Sequence, residues 1–97
     1  MLTFLLYCDL STMTCTSYDI NAELKKISRR HVQVNDSLWF FKYPDDFDGN
    51  LLPKDEQLFY DHFEKFTNEN SIIFIEVLRN DHYYNLPNEV SSFLESD

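Results

Sequence analysis

Two nearly unbroken apolar runs, at residues 2–9 and 72–78, lie toward the two ends of this 97-residue chain. Runs of that length with little polar alternation suit buried strands, covered on at least part of both faces, so the fold is expected to set the two runs side by side in the middle of one sheet. What lies between decides how. From residue 17 to 30, Ile20, Leu24 and Ile27 recur at intervals of four and three and share one helix face. Lys25, Lys26, Arg29 and Arg30 fall late in that helix, where positive charge complements the C-terminal end of its dipole. HVQVNDSLWFFKY, residues 31–43, then reads as a hairpin. Val32 and Val34 alternate with polar neighbours, Asn35 and Asp36 tolerate turn dihedrals, and residues 38–43 are intensely aromatic. Pro44 stops the pairing, and DDFDGN follows as a solvated turn. Pro53 suits the first turn of a second helix, with Leu58, Phe59, His62, Phe63 and Phe66 as an apolar stripe through about Thr67. Pro87 opens a short last helix anchored by Val90, Phe93 and Leu94.

The order is therefore strand, helix, strand, strand, helix, strand, plus a terminal helix. Two strand-helix-strand units sharing a central hairpin interleave into a four-stranded antiparallel sheet with two helices on one face: a ferredoxin-like α+β fold, one domain over residues 1–97. Such a sheet leaves its second face bare. The surplus of strand aromatics, Trp39 and Phe41 among them, needs cover, and a homodimer joined face to face would provide it.

Composition narrows the chemistry. A 43% hydrophobic and 16% aromatic chain can pack an interior. The single Gly rules out glycine-rich phosphate loops. No stretch is long enough to span a membrane and the start lacks a secretory pattern, so a cytoplasmic protein is expected. Cys8 and Cys15 are too few for a four-ligand zinc site and read as small apolar side chains. The net charge of −9 is uneven: residues 1–43 hold five basic and four acidic groups, and residues 44–97 hold three and thirteen. The acidic half repels phosphate backbones. Half of all Lys and Arg sit in KKISRR, so any nucleic-acid contact starts there.

The first apolar run ends in Tyr7, Cys8, Asp9 and Leu10, the hairpin carries Asn35, Asp36, Ser37, Leu38 and Trp39, and the tail reads DHYYNLPNEVSSFLES. Over nearly the whole chain these features resemble the CRISPR-associated Cas-two proteins with their VapD-type and small stand-alone relatives. Cys8 stands where that family usually has an aromatic. The resemblance implies a homodimer in which the two Asp9 residues face each other across a two-fold axis. In some members such a pair holds a divalent metal for nuclease activity, while others scaffold DNA. The strong acidity of this chain departs from the scaffolding pattern.

Two roles are open to Asp9: it ends a strand and caps a turn, or it holds Mg²⁺ or Mn²⁺. A metal-dependent nuclease needs hard oxygen ligands and cations to seat the phosphate. Asp9 and Ser37 are the candidate catalytic residues. Arg29, Arg30 and His31 are the candidate phosphate contacts, and Trp39 is a candidate platform for stacking RNA or DNA bases. The DDFDGN spacing does not match a calcium loop, and His31, His62 and His82 do not read as a shared metal set. Against the enzyme stands a second class: an acidic interaction protein, acting as inhibitor, antitoxin-like regulator or scaffold, that binds a basic protein surface.

Overall fold

The computed structural model describes residues 2–43, 53–78 and 84–96. Pro44, the DDFDGN turn and His82 lie outside them. In chain order the elements are β1 (Leu2–Cys8), α1 (Ser17–Ile27), β2 (Arg30–Gln33), β3 (Leu38–Tyr43), α2 (Pro53–Phe63), β4 (Ile73–Val77) and α3 (Asn88–Glu95), with short 3-10 turns at Leu10–Thr12 and Glu64–Phe66. The sheet runs β2-β3-β1-β4 with every neighbour antiparallel, which is the ferredoxin-like arrangement. The two terminal apolar runs do pair, Leu6 facing Ile75 and Tyr7 facing Phe74.

Alternation along the strands sorts the side chains between two faces. Phe4, Leu6, Cys8, Trp39 and Phe41 point to the side covered by α1 and α2, where they form one core with Ile20, Leu24, Phe59 and Phe63. Phe4 and Phe41 stack with ring centroids 5.1 Å apart, and the Phe59 ring stands edge-on to Phe4 at 4.7 Å and to Phe41 at 5.2 Å. Such geometry adds about 0.5–1.5 kcal/mol per pair beyond area burial. The loop ahead of α1 does supply its cap: the Asp19 carboxylate accepts from the Thr16 N–H at 3.0 Å and from its hydroxyl at 3.2 Å.

The structure corrects three expectations. First, α1 stops at Ile27, not residue 30: the Ser28 N–H closes the last helical bond to the Leu24 carbonyl at 2.9 Å, and the backbone turns extended at Ser28 itself, with φ −115° and ψ 160°. Lys25 and Lys26 remain in the last helical turn, but Arg29 lies beyond it and Arg30 opens β2. Second, the half of the sheet's second face made by β2 and β3 is covered within the chain. Val90 and Phe93 of α3 bury against Phe40, and Leu5, Val32 and Leu38 pack around them. Trp39 and Phe41 face the helices, so the aromatics cited as needing a partner are covered within the chain. Third, β4 is an edge strand rather than a buried one: Phe74 is 49% exposed and Ile72, just before it, 52%. Among the described residues no helix is long and apolar enough to cross a membrane.

Candidate functional site

Asp9 follows directly on β1, and its surroundings answer what a carboxylate does there. Oδ1 accepts from the Ser11 hydroxyl at 2.6 Å and the Ser11 N–H at 3.2 Å, capping the Leu10–Thr12 turn. The Asp9 carbonyl accepts from the Thr12 N–H at 2.9 Å and hydroxyl at 2.7 Å, and the Asp9 N–H donates to the Ile72 carbonyl at 2.9 Å. The same Thr12 hydroxyl accepts from the Ile72 N–H at 2.9 Å, and the Ser71 hydroxyl donates to the Thr12 carbonyl at 2.7 Å. The turn after β1 is thus tied to the approach to β4. Asp9 Oδ2 makes no hydrogen bond among the described residues.

Ser37 stands at the same end of the sheet, since the Cys8 N–H donates to its carbonyl at 2.8 Å. Its own N–H is taken by Asn35 Oδ1 at 2.8 Å in the hairpin turn. Asp9 and Ser37 therefore lie at the same end of the sheet. The cations are not. Arg30 pairs with Lys42, and Lys42 with Thr3, which places Arg30 level with the beginning of β1. From Thr3 to Asp9 the strand advances about 20 Å at its usual rise per residue. Arg29, whose N–H donates to the Lys42 carbonyl at 2.9 Å, is at that far end too.

Trp39 is corrected as a stacking platform. Its ring is fully buried, and its Nε1–H donates to Asn21 Oδ1 at 3.0 Å. The Asn21 amide in turn donates to Gln33 Oε1 at 2.9 Å and to the Ser17 carbonyl at 3.0 Å, so the ring's one polar atom is satisfied inside the core. His31 is half-buried, and burial, with the nearby Lys25 charge, holds its pKa below the ordinary imidazole value. Cys8 is buried and its thiol is pushed up to about 12 by burial and then by Cys15, which removes it as a nucleophile at neutral pH.

One chain does not offer a fitted metal site. Among the described residues no three His, Cys, Asp or Glu side chains gather as ligands. Asp9 contributes one uncommitted oxygen, with hydroxyls for neighbours, which is too small a donor set for Mg²⁺ or Mn²⁺.

Two features escaped sequence reasoning. Glu23, 6% exposed, receives Lys65 at 2.9 Å, His62 Nδ1 at 3.4 Å and Lys26 at 4.0 Å, tying α1 to α2 and the turn after it. Its place one residue before Leu24 and three after Ile20, on the apolar stripe, was the available signal. The other is an open groove of about 520 Å³ between β2 and α3, lined by Arg30, His31, Glu89, Ser92, Phe93 and Ser96. Arg30 Nη1 donates to Ser96 Oγ at 3.0 Å across it, and the Arg30 guanidinium and Lys42 ammonium each lie 5.1 Å from the Phe93 ring centre. No sequence signal marked this groove, because it depends on where α3 docks. Comparison with protein-family models, curated proteins and solved structures returns no significant match to the chain.

Proposed function

We propose that this chain is a Cas-two-like homodimer that works without catalysis, as an acidic interaction protein covering a basic surface on a protein partner. The observation that carries this reading is the separation of Asp9 from Arg29 and Arg30 by the length of β1. A nuclease needs its metal ligand and its phosphate contacts around one phosphodiester, and a single protomer sets them at opposite ends of the sheet. The net charge of −9 supports the same reading, since it attracts a cationic protein and repels a nucleic-acid backbone. The ferredoxin-like strand order fits the resemblance that first linked the chain to this group.

A metal-dependent nuclease built from Asp9 of two copies is the second reading, favoured by the Asp9 oxygen that the turn does not use. One experiment separates the two. The purified protein and Asp9→Asn are incubated with labelled RNA and DNA in Mg²⁺, Mn²⁺ or EDTA, and both are titrated with a folded basic protein at rising salt. The expected result is no cleavage, with salt-sensitive binding of the basic protein unchanged by Asp9→Asn. Metal-dependent cleavage lost in Asp9→Asn overturns the proposal in favour of the enzyme.

A further inference from the structure

Among the described residues the sheet has two outer strands, β2 and β4, and their surroundings are opposite in character. Beside β4 stand exposed Ile72, Phe74 and Glu76. Beside β2 stand Lys25, Lys26, Arg29 and Arg30, all exposed, which are half of the Lys and Arg in a chain of net charge −9. An unpaired strand edge is a template for another strand, and the charge around it selects what pairs. The register identifies the groups on offer. Val34 N–H donates to the Leu38 carbonyl at 2.8 Å, so by antiparallel alternation Val32 also faces β3, and the main-chain groups of His31 and Gln33 face outward.

From the outward register and the charge beside it, we propose that the outer edge of β2 binds an extended acidic peptide as a fifth strand. Side chains of an added strand alternate between the two sheet faces. On the helix face they meet the end of α1, with Lys25 and Lys26 in its last turn, and Arg29 just beyond. On the other face they enter the groove between β2 and α3, where the Arg30 guanidinium and the Ser92 hydroxyl supply donors and Phe93 an apolar wall, the Ser96 hydroxyl already donating to the Phe93 carbonyl at 3.1 Å. An acidic peptide is favoured over RNA on two grounds. The outward groups are peptide donors and acceptors in strand register, and the one Trp is buried where no base can stack on it. This inference is independent of the acidic-surface reading, because it concerns the opposite charge on a different part of the molecule.

The test uses the full chain and a fluorescein-labelled peptide of alternating Val and Glu, followed by anisotropy and by amide hydrogen exchange. Three controls accompany it: the matching Val-Lys peptide, a Val-Glu peptide N-methylated at alternate residues, and a single-stranded RNA of similar length. Saturable binding of the acidic peptide is expected, with slowed exchange at the His31 and Gln33 amides and loss of binding on N-methylation. Lys25→Glu with Arg29→Glu should weaken it about tenfold while the circular dichroism stays unchanged. Equal binding of the N-methylated peptide, protection elsewhere, no saturable binding by the wild-type chain, or RNA binding that displaces the peptide overturns the proposal. The exchange pattern of the wild type decides the matter even if the double variant does not fold.

Discussion

Glu23 sits on the apolar stripe of α1 with almost no solvent access, and a carboxylate is tolerated there because three cationic or hydrogen-bonding groups converge on it. Burial by itself raises the carboxyl's pKa. The Lys65 hydrogen bond and charge, followed by Lys26 and His62, outweigh that and hold it below the ordinary value of 4.5. A depressed carboxyl contributes stability that is present above its unfolded pKa and lost as the pH falls through the folded one. Glu23→Gln should therefore lower the urea midpoint at pH 7 by the equivalent of about 1 kcal/mol, the difference between a charged and a neutral hydrogen bond. It should also shrink the loss of stability on acidification below about pH 4.5. An unchanged acid limb in denaturation curves would count against the network. Cys8 provides a second check at this scale. With its thiol raised to about 12 and its side chain buried, iodoacetamide at pH 8 should modify the half-buried Cys15 well before Cys8, as read by peptide mass spectrometry.

Among the elements, α3 is the one whose role depends most on packing. It covers the half of the second sheet face made by β2 and β3, burying Phe93 to 8% exposure and Val90 to 2% against Phe40. Phe93→Ala should cost about 3–4 kcal/mol in chemical denaturation, the range for emptying a buried aromatic site. Phe74→Ala, at a half-exposed edge position, should cost less than about 1 kcal/mol. Similar losses for the two would mean that α3 is not seated on the sheet. The contrast between these phenylalanines also shows what could be read from sequence. Strand and helix periods marked every described strand and α-helix, and the order of the first six dictates the ferredoxin-like sheet. Neither period says what a face will meet. Phe74 lies in an apolar run like that of β1, yet it ends on an edge because strand position depends on long-range pairing. Arg29 and Arg30 continued the charge pattern of a helix end, but the backbone turns extended at Ser28 and ends the helix before them, and Ser is a weak stop signal beside Gly or Pro. The Asp9 turn was legible as one of two alternatives, and only the Ser11 contacts show that the capping role is occupied.

For the whole molecule, the open question is how an acidic chain presents its exposed apolar surface. The half of the second sheet face that α3 does not cover holds Tyr7 and Phe74, stacked with ring centres 5.3 Å apart, beside Ile72. These side chains carry no charge, but exposed Glu76 shares their face and stands opposite Leu5 on β1, so two copies of net charge −9 that meet there also bring a pair of like charges to the contact. Phe74 and Ile72 alone are too small for a stable association, which takes about 800 Å² from each partner, so contact must extend across Tyr7 toward Leu5. The homodimer proposed above then has a definite prediction. In sedimentation equilibrium the wild-type chain should weigh as a dimer, and added salt should strengthen the association by screening the residual repulsion of two acidic bodies. Ile72→Asp with Phe74→Lys should sediment as a monomer with an unchanged circular dichroism spectrum. A wild-type chain that stays monomeric at every concentration removes the dimer. A dimer indifferent to both substitutions places its interface elsewhere on the molecule.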